Sequence, residues 1–295
     1  MFLLDGLMII FPRFRRHRAR VSSSPGFIST STTRTTLREV WLARYLVRQL
    51  IVRDLTVRYR QTWLGWFWAV LSPALNLGLY YLVFGKMVHF TPPEYHSPYV
   101  LVLMSGLVLW MLFTSTVNAV SESLLNNVHL ITKVWFPRPV LTLASTGVSL
   151  ADFGLAVVIL IVLFPLSGYS WEWQRLPVLI LCAVLTAVAG WGLGCLLAVA
   201  RLRFRDVRHL VPLLMQALFY ATPIVWTPGV LSPQWQTLVA LNPLTGLSGL
   251  FRWVLPGGPL PGGISLCWSA FGCVALALIG YSCFVRFEAQ VIDRE

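Results

Sequence analysis

Six stretches of this chain are apolar over about 17–25 residues, the helical length that crosses roughly 30 Å of hydrocarbon. They run from Leu64 to Phe84, Tyr99 to Val120, Val140 to Phe164, Pro177 to Ala200, Leu210 to Trp226 and Ile264 to Val285. Lipid offers no water to backbone amides, so a spanning segment must be a helix or one strand of a closed barrel. Barrel strands alternate polar and apolar residues, and these runs do not. The expected fold is an all-α integral membrane protein with six transmembrane helices. Composition agrees: 57% of the 295 residues are hydrophobic and only 12% are charged, against about 25% charged in soluble domains. A water-facing shell cannot be built from so few charges.

Orientation follows from where the Lys and Arg side chains fall between spans. Of 23, all but Lys86, Arg175 and Arg252 lie on one side of the expected bundle. That side reads as cytoplasmic and holds both termini. The net charge of +12 is then a topology signal, and no nucleic-acid partner is expected. The layout is a basic, disordered cytoplasmic leader over 1–36, an interfacial amphipathic helix over 37–62, the six-helix domain over 63–286 and a cytoplasmic tail over 287–295. The leader's apolar start, Met1 to Phe11, precedes its arginines, the reverse of a secretory signal.

Two regions depart from a plain span-and-loop plan. Between Leu37 and Arg60, Arg38, Gln49, Arg53, Thr56 and Arg60 gather on one helical arc, with Arg44 and Arg48 nearly opposite. The amphipathicity is imperfect. Such a helix is expected to lie on an anionic leaflet, with membrane lipids as partners, and a docking surface for another protein stays open beside that; its binding candidates are Arg53, Arg58, Tyr59 and Arg60. Between the fifth and sixth spans, Gln234 to Leu241 and Leu244 to Leu255 are too short to cross. Prolines and the Gly257–Gly258 pair cut them. They form either a short re-entrant outer gate, with Pro228, Trp235, Asn242, Pro243 and Trp253 as its candidates, or a hairpin lying on the surface.

Hydrolytic and nucleotide chemistry find no foothold. Gly85–Lys86 lacks the upstream glycine and the following Ser or Thr of a phosphate-binding loop, and neither HExxH nor GxSxG occurs. His17, His89, His96, His129 and His209 are scattered, and the five cysteines lie in or beside apolar runs without ligand spacing. No catalytic, cofactor or metal site is expected on this chain. One acid, Asp152, falls near the middle of the third span, where an ionised carboxylate costs about 2.5–3.5 kcal/mol. It is either functional, or neutral, or hydrogen-bonded to a neighbouring helix for packing. Most of the 13 Trp, 9 Tyr and 17 Phe suit span ends. Tyr80, Tyr81, Trp110, Phe113, Phe219, Tyr220 and Trp226 are candidates either to line a pathway, where ring faces can stack on sugar faces, or to pack against lipid.

Several stretches carry a family resemblance, in order along the chain. RDLTVRYRQTWLGWFWAVLSPAL (Arg53 to Leu75), NNVHLITKVWFPRPVLTLAS (Asn126 to Ser145), VSLADFGLAVVIL (Val148 to Leu160), RFRDVRHLVPLLMQALFYATPIVW (Arg203 to Trp226) and LNPLTGLSGLFRWVL (Leu241 to Leu255) resemble the ABC-2 type permeases that export polysaccharides. The leader 1–36 is not part of that pattern. The resemblance implies the membrane subunit of an exporter of lipid-linked glycan (O-antigen, capsule or teichoic-acid-like) in a bacterial inner membrane. It implies a second copy of the chain and a separate nucleotide-binding subunit carrying ATP and magnesium, in a 2+2 assembly. It also implies that Asn127, His129, Leu130, Ile131, Lys133, Val134, Phe136 and Arg138 form the segment on which the ATPase pushes. Two alternatives stay open: the same scaffold exporting a small hydrophobic compound or lipid, and a membrane glycosyl- or acyltransferase.

Overall fold

The structure, a computed structural model, describes residues 37–60, 67–87, 89, 92–95, 97–133, 136–166, 168 and 172–292; the leader 1–36 lies outside them. All of these belong to one compact unit, Arg34–Glu295, and no strand occurs among them.

Eleven α-helices follow one another among the described residues: α1 Leu37–Leu42, α2 Arg44–Arg60, α3 Phe67–Tyr80, α4 Tyr99–Glu122, α5 Val128–Lys133, α6 Pro139–Leu166, α7 Leu176–Arg203, α8 Val207–Ala221, α9 Pro233–Ala240, α10 Pro243–Val254 and α11 Gly263–Ile292. Proline sets several starts, as in α6, α9 and α10, because its fixed φ suits the first turn and its missing N–H is not needed there. At α10 the Asn242 side chain also accepts from Leu244 N at 3.0 Å, satisfying a donor the helix leaves open.

Four segments are long and apolar enough to cross a membrane: Tyr99–Glu122, Pro139–Val162, Trp173–Arg203 and Gly263–Phe287. These coincide with the second, third, fourth and sixth expected spans. The first expected span is α3, continued by a π-helical stretch from Tyr81 to Met87; residues 61–66 are not described. The fifth is α8, whose 15 residues reach about 22 Å at 1.5 Å per residue, with Pro212 in its second turn.

α4 occupies the centre, with every residue from Leu101 to Leu109 buried. α6 and α7 flank it, α10 packs across it, and α11 lies against α7 and α10. Gly190 of α7 faces Thr116 of α4, and Gly194 faces Val120, so α4 and α7 run parallel. Trp191 of α7 stacks on Tyr281 of α11 at 5.8 Å, and a Cβ on Gly192 would lie 2.6 Å from Ala277 N. Only glycine permits that approach. The bundle therefore has a Tyr99 end, which holds α10, and a Glu122 end, which holds α5. Cys182, Cys195 and Cys273 are buried as small apolar groups, whereas Cys267 is exposed on α11.

Candidate functional site

Five of the rings singled out in the sequence meet between α3, α4 and α8, at mid-length of α4. Phe219 of α8 is the hub and is almost fully buried. Its ring centroid lies 5.3 Å from Tyr80 of α3, 5.5 Å from Trp110 of α4 and 5.4 Å from its neighbour Tyr220. Trp110 in turn lies 5.5 Å from Phe113. Three helices thus contribute to one aromatic wall, with tilted and edge-on geometries that the ring quadrupole favours. Tyr81 packs against the adjoining apolar cluster of Leu103, Leu107, Ile224 and Val225, and Trp226 Nε1 donates to Tyr220 O at 3.2 Å. Tyr220 stays exposed. Rings held this way combine a fixed apolar face with an open edge, a surface for weak and repeated contact.

At the Glu122 end, α5 is short and its residues divide by exposure. His129 and Lys133 are exposed, as is Val128. Leu130, Ile131 and Phe136 are half-buried and pack on the cluster of Leu50, Leu124 and Val140, so the chain itself covers much of their apolar surface. Arg138 is half-buried and has a partner of its own; Val134 lies outside the described residues. Asn127 Nδ2 donates to Ser123 O at 2.9 Å, and Asn127 Oδ1 accepts from Arg53 Nη2 at 2.9 Å. Nearby, Arg201 of α7 pairs with Glu122 of α4 at 2.7 Å, tying the ends of two long helices.

α2 packs on α6 and carries Arg53 and Arg58, the two candidate arginines whose side chains are described. Arg53 reaches Asp54 and Asn127, and Arg58 pairs with Asp152. Residues predicted as three separate groups (interfacial helix, pushed segment and intramembrane acid) are therefore joined through α2. Tyr59 and Arg60 close α2, but their side chains lie outside the described residues.

The proline-cut stretch after α8 folds into a 3-10 turn at Pro228–Val230, then α9 and α10. Trp235 is exposed on α9. Asn242 Nδ2 donates to Thr222 Oγ1 at 2.8 Å, and Pro243 opens α10. The Arg175 guanidinium sits 4.4 Å over the Trp253 ring and donates to Trp253 O at 3.0 Å. α10 buries Leu244, Leu247, Ser248, Phe251 and, unexpectedly, Arg252. That arginine is 1% exposed. Counting charges for topology hid it. The legible signal was its register: residues 244, 248 and 252 recur every four along one face of α10. Burial raises the Tyr95 phenol above its ordinary value, and the Arg252 guanidinium beside it pulls the other way.

The ABC-2 type transporter family matches residues 45–255, which take in α2 to α10. An O-antigen export system permease protein RfbA of Myxococcus xanthus is 28% identical over 76% of this chain and 85% of its own length. One of the same name from Klebsiella pneumoniae is 27% identical over 84% of this chain and 95% of its own. The polysialic acid transport protein KpsM of Escherichia coli is 25% identical over 83% of this chain and 95% of its own. With the family matched across most of the helical bundle, the chain belongs to the ABC-2 type transporters.

Proposed function

We propose that this chain is the membrane permease of an ATP-driven exporter that moves a lipid-linked polysaccharide, O-antigen-like, out across a bacterial inner membrane. α3, α4, α6, α7, α8 and α11 are its six spans, both termini are cytoplasmic, and two copies form the pathway. ATP and magnesium bind a separate ATPase subunit, and this chain performs no catalysis. In this orientation the Glu122 end faces the cytoplasm and the Tyr99 end faces out. Exposed His129 and Lys133 on α5 meet the ATPase, while Asn127, Leu130, Ile131, Phe136 and Arg138 transmit its push into the core. α9 and α10 form the outer gate.

The convergence of Tyr80, Trp110, Phe113, Phe219 and Tyr220 from three helices carries this reading to a glycan. Sugar rings stack on aromatic faces in any register, so a polymer can slide without ever being held tightly. The relatives named for O-antigen and polysialic acid transport support the same substrate class. Deleting the gene in its host is expected to strip glycan from the surface and strand lipid-linked glycan inside. Unchanged surface glycan in the deletion strain overturns the reading.

A further inference from the structure

Arg252 is among the largest side chains with no exposed surface to speak of, and its environment is unusual. Nη2 donates to Ile224 O at 2.6 Å and Nη1 to Trp226 O at 3.3 Å. The Tyr95 phenol lies close enough to the same guanidinium for the two to interact electrostatically. Nε has no acceptor among the described residues. Gly106 of α4 makes the room: a Cβ there would lie 3.0 Å from Nη2 and 2.7 Å from Ile224 O.

Three stretches far apart in sequence are pinned around this one cation. Before α4, Tyr95 lies on Gly258, Glu94 lies on Gly229, and the Ser97 hydroxyl donates to Pro256 O. Tyr99 Oη donates to Val225 O at 2.9 Å. The turn after α8, residues 222–227, supplies the two carbonyls, and α10 supplies the arginine. Ile224 and Val225 belong to the packing around Phe219, so whatever holds this turn also sets where the aromatic wall stops.

We propose that Arg252 is a latch: a positioning residue that holds the stretch carrying Tyr95, Ser97 and Tyr99 against residues 222–227 across the Tyr99 end and releases them when the pathway opens. This rests on the reading of the chain as an export permease, since only a transport pathway needs a seal there. A buried cation is a costly way to fill space, because a well-packed apolar side chain of similar volume is often as stable or more so. What the cation adds is reversibility. Its acceptors are two carbonyls for a group with five N–H donors, and Nε has none among the described residues, so opening to water replaces every bond it gives up and satisfies Nε as well.

The test uses the chain reconstituted with its ATPase in phosphatidylethanolamine–phosphatidylglycerol vesicles filled with self-quenched carboxyfluorescein, without glycan or nucleotide. The wild-type complex is expected to retain dye. Arg252→Gln removes the cation, whereas Tyr95→Ala and Gly258→Ala both remove the Tyr95 arm and leave Arg252 in place. All three are expected to release dye roughly ten-fold faster, the size of shift expected from losing one buried polar contact, with Arg252→Lys in between. Wild-type dye retention by either the Tyr95→Ala or the Gly258→Ala complex, eluting at its normal size, overturns the latch whatever Arg252→Gln does. The measurement needs neither substrate nor ATP, so its failure is distinct from failure of the deletion experiment.

Discussion

Asp152 stands half-way along α6, and its carboxylate meets Arg58, a residue 94 positions earlier in the chain. A lone acid at that depth is costly, and α2 brings a cation to it. The pair is partly exposed on the arginine side, so its worth is below that of a fully buried one. Removing Arg58 nevertheless takes away that cation. Arg58→Leu is expected to lower the melting temperature in detergent by several degrees, on the order of 1 kcal/mol, and Asp152→Leu added to it should restore most of the loss. If the double variant melts no higher than the single one, Arg58 does not serve as the counter-ion of Asp152. The need for a partner was legible in Asp152 itself. The partner's identity was not, because nothing local to either residue encodes which helix will lie alongside.

Among the helices, glycine decides how close axes come. At Gly192 the backbone of α11 lies within van der Waals contact of α7, the geometry in which small residues replace the hydrophobic drive that lipid cannot supply. Gly192→Val is therefore expected to abolish recovery of folded protein. Gly154, with nothing within 4 Å of its would-be Cβ, should accept alanine with melting unchanged or slightly raised, since alanine favours helix by about 1 kcal/mol. Recovery of folded Gly192→Val protein equal to that of Gly154→Ala would contradict this packing. α5 shows the opposite design. Because Leu130, Ile131 and Phe136 are already engaged with the chain's own core, truncating them is expected to cost stability as well as coupling. Lys133, exposed at the end of α5, is the cleaner probe. Lys133→Glu should leave melting unchanged while cutting export by about ten-fold, if a charge-assisted contact to the ATPase is lost, as read from surface glycan. Export at wild-type level in that variant removes Lys133 from the contact.

At the scale of the whole molecule, the aromatic wall exists only because α3, α4 and α8 converge. Trp110→Ala opens it from α4 and should reduce export well beyond any loss of folded protein. Trp110→Phe, which keeps a stacking face, should retain most of it, and equal export from the two variants would argue against a wall of rings. The sequence by itself determined the solvent this protein lives in, its helical class and the places where helices cannot cross. Each of these follows from local facts: run length, the spacing of proline and glycine, and the scarcity of charge. It also exposed the rings and the acid as candidates. Only tertiary structure decided that Phe219 joins rings from three helices, that α2 binds both Asn127 and Asp152, and that Arg252 is buried at the meeting point of three connections. Those outcomes depend on contacts between residues tens to more than a hundred positions apart. Helix period and composition say which face of a helix is apolar, but the packing of the other helices chooses what that face meets.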